Sequence, residues 1–116
     1  MQPSHIQLDQ VNSLVSAAGV DGARAILDAF QRSTLELLSS LDEDVRIGAM
    51  NEALKAAHAI KGSAANVGAQ LLAETAEAIE AACKSDDTTA AINMMSQAQT
   101  HFDAFCVHFE AHIAQF

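Results

Sequence analysis

The apolar residues of this chain recur at intervals of three and four, and this spacing constrains the fold more than any other feature. Leu8, Val11, Leu14 and Val15 follow it near the start, and longer series follow it further along. The repeat matches the 3.6-residue period of an α-helix. Val, Ile and Thr nowhere alternate with polar residues over four or more positions, so no strand is predicted. The sequence therefore indicates an all-α protein.

Turn and capping residues divide this periodic sequence into five predicted helices. Gly19 and Gly68 are clear stops, and the polar run over residues 85–87 supplies N-cap chemistry. The predicted helices cover residues 7–18, 22–41, 44–67, 69–84 and 87–115. Five helices with short connections favour an up-and-down antiparallel four-helix bundle with an additional N-terminal capping helix. We expect residues 1–116 to form one domain.

The acidic net charge of the chain argues against some classes of binding partner. Six basic residues stand against fifteen acidic ones, which gives a formal charge of −9 at pH 7. Nucleic acids and anionic membranes are bound by clustered lysines and arginines, so neither is an expected partner. No apolar run reaches the roughly 20 residues of a membrane-spanning helix, and no signal-peptide pattern is present, so we expect a cytoplasmic protein. A protein partner is the expectation that remains.

The cysteines and the C-terminal histidines are the residues that could form a redox or metal site. Cys83 and Cys106 lack a CxxC spacing and are predicted to be free thiols in the core. His101, His108 and His112 fall on one side of the last predicted helix, and the last two are four apart, as in helical metal sites. However, HFEAH is not the HExxH zinc motif, and no further ligand is placed to complete a tetrahedron. Exposed histidines without a metal are therefore expected.

His58 is distinguished by its neighbours in the third predicted helix. Small apolar side chains lie on the opposite side of that helix, which places the imidazole on the solvent face. They are Ala49, Ala53, Ala56, Ile60, Ala64 and Val67. Gly62 lies one turn beyond His58 on the same face, and because a glycine within a helix costs about 1 kcal/mol relative to alanine, we expect it to provide clearance.

An exposed neutral imidazole is a nucleophile that can accept a phosphoryl group. Lys61, three residues after His58, could reach the new phosphate as a mobile positive charge. Ser63 lies further round the helix, so we expect its hydroxyl to bond to backbone or orient a neighbour. Taken alone, this pattern also fits an ordinary surface histidine in an alanine-rich helix, so acceptance of a phosphoryl group is one of two interpretations at this point.

The stretch AHAIKGSAANVGAQLL resembles the H-x-[LI]-K-G-S-x-x-x-x-G-A-x-x-L signature of histidine-containing phosphotransfer (HPt) domains. The matching residues are His58, Ile60, Lys61, Gly62, Ser63, Gly68, Ala69 and Leu72. The resemblance implies that His58 is the phosphoacceptor, that Lys61 supports the phosphate and that Gly62 gives access. It also implies a relay between aspartates of response-regulator receiver domains in a two-component phosphorelay. Ala64 stands where many members have a second serine, which leaves that role unchanged.

A relay domain of this kind needs little machinery of its own. The receiver domain, alone or within a hybrid sensor histidine kinase, supplies the acidic pocket, Mg²⁺ and the aspartate, so neither a cofactor nor autokinase activity is expected here. We predict that Leu54 and Ala65 offer apolar contact to the receiver, with Lys55, Lys61 and Lys84 at the rim facing its acidic pocket. A monomer is expected.

Two alternatives were weighed against this interpretation. The dimerising histidine domain of a sensor kinase follows its histidine with an acidic residue and usually a proline, whereas Ala59 follows His58 and no proline comes later. That domain needs two chains to complete one bundle, so a size measurement distinguishes it. In a purely structural adaptor bundle the motif would be a coincidence, and phosphorylation of His58 separates that alternative.

Overall fold

The structure, a computed structural model, describes residues 4–116. Within that range the chain forms four helices and no strand: α1 (Leu8–Ile47), α2 (Met50–Val67), α3 (Gln70–Lys84) and α4 (Thr88–Ile113). α1 packs against α2 and α4, and α3 packs against the same two helices. Consecutive helices are joined by two or three residues and therefore run antiparallel, as in an up-and-down bundle. This confirms the predicted all-α class.

α1 contains two helical segments that meet at a kink at Gly19, and the capping role predicted for the first segment is not confirmed. Residues 7–18 and 22–41 were expected to be two helices, but both lie within α1, which spans Leu8–Ile47. Gly19 has a left-handed φ of 77° with ψ at 173°, so the helical conformation is interrupted at the expected glycine without ending the element. The kink therefore separates two helical segments at the glycine where the sequence predicts the first helix to stop.

The boundary between the next two helices was also predicted wrongly. α1 continues to Ile47 instead of ending at residue 41, and α2 begins at Met50 instead of residue 44. Leu41 and Val45 are both fully buried and lie four residues apart. The apolar face of α1 therefore continues past the acidic residues at 42–44, which resembled a connection between helices. Gly48 ends the helix, with a left-handed φ of 78° and its N–H donated to a carbonyl of the last turn.

Aromatic and small side chains fill the core in complementary ways. Phe30 on α1 contacts Phe102 and Phe105 on α4, with ring centroids 5.9 and 5.5 Å apart. α2 instead turns alanines inward, including the fully buried Ala53 and Ala64, and such small side chains let neighbouring helices approach closely. As predicted, the two cysteines are buried free thiols. None of the helices within residues 4–116 has the length and apolarity needed to cross a bilayer.

The segment before α1 lies against the turn between α2 and α3. Gln7 donates its backbone N–H to the Gly68 carbonyl at 2.8 Å, and the Gln10 side-chain amide donates to the Asn66 carbonyl at 2.9 Å. Gly68 has φ of 87°, and a Cβ placed there would come within 3.0 Å of the Gln10 Cβ. Glycine is therefore required at this turn both by backbone conformation and by close packing.

Candidate functional site

His58 lies near the middle of α2 and faces solvent. About 67% of its side chain is exposed, while the residues predicted to lie opposite, such as Ile60 and Ala64, are fully buried. The orientation deduced from the helical period is therefore the one that the structure has. An imidazole in this position is open to a partner protein.

Glu80 of α3 holds both His58 and Lys61. Its Oε2 lies 2.8 Å from the His58 Nδ1, and its Oε1 accepts a hydrogen bond from the Lys61 ammonium at 3.3 Å. Glu80 itself is only 6% exposed. A buried carboxylate is costly unless it is paired, and here two nitrogen groups from the neighbouring helix provide the pairing.

The surroundings of Glu80 favour its ionised form. Burial raises the pKa of the Glu80 carboxyl, but the hydrogen bonds from His58 and Lys61, together with their positive charge, outweigh burial and leave the pKa below its ordinary value of 4.5. An ionised carboxylate only accepts hydrogen bonds, so the neutral His58 ring carries its proton on Nδ1. The lone pair is then on Nε2, the nitrogen that Glu80 does not bond.

Lys61 is less free than the sequence suggested. Its side chain is 34% exposed, and its ammonium is anchored to Glu80 instead of projecting into water. The ammonium has three donors, of which this contact uses one. Lys61 is thus a positive charge positioned one turn from His58, with donors left for another anion.

Gly62 and Ser63 occupy the positions predicted for them. A Cβ built on Gly62 meets nothing within 4 Å, and its φ is not left-handed, so neither packing nor backbone conformation requires glycine there. The packing and backbone around Gly62 thus give no reason for a residue that weakens the helix. Ser63 donates its hydroxyl to the Ala59 and Ile60 carbonyls at 3.1 and 3.3 Å, within its own helix.

The four residues predicted to dock a partner surround His58 at different depths. Leu54 is half-buried against the core, whereas Lys55 is exposed and forms an ion pair with Glu52 at 3.5 Å. Ala65 and Lys84 are both exposed. Lys84 lies one turn beyond Glu80 near the end of α3, on the side of the site away from the α2–α3 turn.

An open groove runs between α2 and α3 beside the site. Its volume is about 440 Å³, and its walls include Lys61 and Ala65 from α2 and Glu74 and Glu77 from α3. Gln7, from the segment before α1, also lines it. The structure therefore brings two of the predicted contact residues together with a segment that the sequence did not associate with the site.

Glu80 is the site residue that the sequence analysis missed. It lies four residues after Ala76 and three before Cys83, both of which are buried on α3. A glutamate within such an apolar stripe requires a cationic partner, and the exposed histidine and lysine of the preceding helix were available. A charged residue within an apolar stripe was thus the signal in the sequence. The pairing itself depends on how α2 and α3 lie side by side.

The histidines that were weighed as metal ligands lie on α4, outside this site. The His112 ring nitrogen Nε2 is 2.7 Å from the Asn12 side-chain oxygen, and the His101 and His108 rings contact His5. Among residues 4–116, no group of three or more ligating side chains is arranged to hold a metal ion.

Comparison with known proteins identifies a family model and a solved structure with a closely similar fold. The Hpt domain model matches residues 25–114. The crystal structure of histidine-containing phosphotransfer protein B from Pseudomonas aeruginosa PAO1 superposes with a TM-score of 0.89 at 23% sequence identity, covering 99% of each chain. No match is found among curated protein sequences. At this identity the structural likeness concerns the fold, and it extends over the whole helical bundle.

Proposed function

This chain belongs to the Hpt domain family, and from that premise we propose that it relays phosphoryl groups through His58 between receiver-domain aspartates. The observation that supports this role most directly is the contact between His58 and Glu80. An ionised Glu80 accepts a hydrogen bond from Nδ1–H of His58, with Nδ1 and Oε2 2.8 Å apart, and the lone pair is then on Nε2 of an exposed ring. Histidine phosphotransfer in two-component signalling is the function that this arrangement serves.

In the proposed step, the Nε2 lone pair attacks the phosphorus of a receiver's aspartyl phosphate. A P–N bond forms, the P–O bond to the aspartate breaks, and the electron pair of that bond returns to the receiver's carboxylate. The His58 ring becomes positively charged, and the Glu80 carboxylate at Nδ1 stabilises that charge. A second receiver reverses the step, so no proton has to be lost from the pair during transfer.

Lys61 is proposed to support the phosphoryl group. Its ammonium is held near the ring by Glu80 and keeps donors for the oxygens of the phosphoryl group. Gly62 leaves the approach to the ring open. The divalent cation, Mg²⁺, is expected in the receiver, so this chain acts as a relay intermediate without autokinase activity.

Leu54, Lys55, Ala65 and Lys84 are proposed as the contact surface for receiver domains, either separate or within a hybrid sensor kinase. Apolar side chains at the centre and lysines at the rim suit a partner with an acidic pocket. We further propose that the protein works as a monomer in the cytoplasm. A measured mass of two chains would instead favour the dimerising histidine domain of a sensor kinase.

The test is transfer from a phosphorylated receiver domain in the presence of Mg²⁺. Wild type should acquire acid-labile label, and His58→Gln should acquire none. His108→Gln is the matched control, because it removes another exposed histidine and should label like wild type. Label retained by His58→Gln, or lost in the control, would overturn the assignment of the phosphoacceptor.

A further inference from the structure

Three histidines from two distant parts of the chain form a second cluster outside the proposed site. The His5 ring contacts His101 at a centroid distance of 5.3 Å and His108 at 5.8 Å, the latter with ring planes only 16° apart. His101 and His108 are seven residues apart on α4, so they share one face of that helix. His5 belongs to the segment before α1. We call these three residues the histidine cluster.

Within residues 4–116, the histidine cluster takes part in no ion pair. The Nδ1 atoms of His5 and His101 are inaccessible to solvent, and neither has a hydrogen-bond partner among residues 4–116. No carboxylate in that range forms an ion pair with any of the three rings. Among residues 4–116, the two buried Nδ1 atoms therefore have no neighbouring group that would stabilise an added proton.

The charged groups of the neighbouring elements are directed elsewhere. On α4, Asp103 accepts a hydrogen bond from Gln99, and Glu110 pairs with Arg24 of α1. On α3, the exposed glutamates Glu74 and Glu77 line the groove shared with α2. Asp9 in the first turn of α1 is exposed, and its backbone carbonyl accepts from Ser13. The remaining histidine of α4, His112, contacts the Asn12 amide.

Protonation therefore works against the docked arrangement. Two imidazolium rings about 5 Å apart repel each other, and partial burial weakens the screening that water would provide. Burial, followed by the charge of His5, holds the pKa of His101 below its ordinary value of 6.5. A histidine whose pKa is lowered on docking binds its proton more readily when the contact is broken.

We propose that the histidine cluster is a pH-sensitive contact that holds the segment before α1 against α4 when its rings are neutral and releases it when they are protonated. The docked state binds fewer protons, so its stabilisation is fully present above pH 6.5 and is lost as the pH falls through the lowered pKa of His101. Release affects the other end of the same segment, where Gln7 bonds to Gly68 and lines the groove beside Lys61.

The amide of Gln7 reports docking directly. Its hydrogen bond to the Gly68 carbonyl lies outside the helices, so its exchange protection measures attachment of the segment independently of helix stability and of phosphotransfer. We expect the protection factor to fall about tenfold between pH 7.5 and pH 5.0 in wild type. His58→Gln, which removes a histidine outside the cluster, should show the same fall.

The double variant His5→Phe/His101→Phe keeps aromatic contacts but removes two of the three titrating rings, including both buried Nδ1 atoms, so that His108 has no second imidazolium beside it. It should protect Gln7 at pH 7.5 and keep that protection at pH 5.0. The same tenfold fall in the double variant, or constant protection in wild type, overturns the proposal. Should the variant fail to dock at all, the titration of His101 in wild type by NMR decides, because a pKa at or above 6.5 contradicts an uncharged docked cluster.

Discussion

The site around His58 and the histidine cluster use the same side chain under opposite conditions. His58 is largely exposed but has a buried carboxylate at Nδ1, whereas His5 and His101 have inaccessible Nδ1 atoms and no carboxylate partner in the described part of the chain. In the first arrangement a carboxylate faces Nδ1 of the ring, whereas in the second the Nδ1 atoms are buried without a hydrogen-bond partner among residues 4–116. The chemistry of a histidine in this protein therefore depends more on the group that contacts its second nitrogen than on its exposure to solvent.

Removing Glu80 should have the largest effect on transfer, because it leaves His58 without a carboxylate partner, as in the histidine cluster. We expect Glu80→Ala to slow single-turnover transfer from a phosphorylated receiver about 100-fold. Glu80→Gln keeps an acceptor for the Nδ1 proton but loses the charge, so it should lie between the alanine variant and wild type. A wild-type rate in Glu80→Ala would show that the contact with His58 has no part in transfer.

Lys61→Ala should have the next largest effect, with transfer reduced about tenfold. Its stability should also fall, by about 1 kcal/mol, because the buried Glu80 loses one of its two partners. This differs from the small effect expected of a fully solvated lysine. Lys55→Ala is the control, since its ion pair with Glu52 is exposed on both sides and its unfolding midpoint should not move.

Variants at Gly62 test whether open space beside His58 is needed for phosphoryl transfer. The histidine cluster has no counterpart of this feature. Gly62→Ala should raise the free energy of unfolding by roughly 0.5 to 1 kcal/mol, because the new methyl group meets no atom and the backbone is ordinary. Gly62→Gln should fold as well but transfer several-fold more slowly, since a long side chain would stand near the ring. Denaturant titration and transfer kinetics on both variants separate the two effects.

A carboxylate added to the histidine cluster should make it resemble the first site without making it functional. Ala104 is half-buried on α4, three residues after His101 and four before His108, so Ala104→Glu places a charge beside both rings. The pKa of His101 should rise, and Gln7 should keep its exchange protection to lower pH. Ala104→Gln is the matched neutral control. If the histidine cluster of this variant were phosphorylated in a His58→Gln background, phosphoryl transfer would not require the residues that surround His58 on α2.

Local patterns predicted the solvent face of α2 and the course of the later helices. The helical period is a property of neighbouring residues, so it placed His58 outward and Ile60 inward correctly. The end of α1 was missed because acidic residues at 42–44 resembled a connection, while the burial of Leu41 and Val45 depends on packing against other helices. Gly48 was the stop signal in that region.

Contacts between distant residues were beyond the sequence analysis. His58 and Glu80 are 22 residues apart, and their pairing depends on how α2 and α3 are aligned by the intervening turn. The contact of His5 with His101 spans most of the chain. The spacing of histidines along α4 indicated a shared face but could not show that a third ring from the N-terminal segment lies on it.

The turn at Gly68 and Ala69 determines the phase between the two helices that form the site. One inserted residue would advance α3 by about 1.5 Å and rotate it by about 100°, which is enough to carry the Glu80 carboxylate away from His58. The turn has little slack to absorb the insertion, because Gly68 is held on one side by Gln7 and packed against Gln10. The length of this connection is thus as much a requirement of the site as its side chains. A change in chain length there could disable the histidine while leaving every residue around it unaltered.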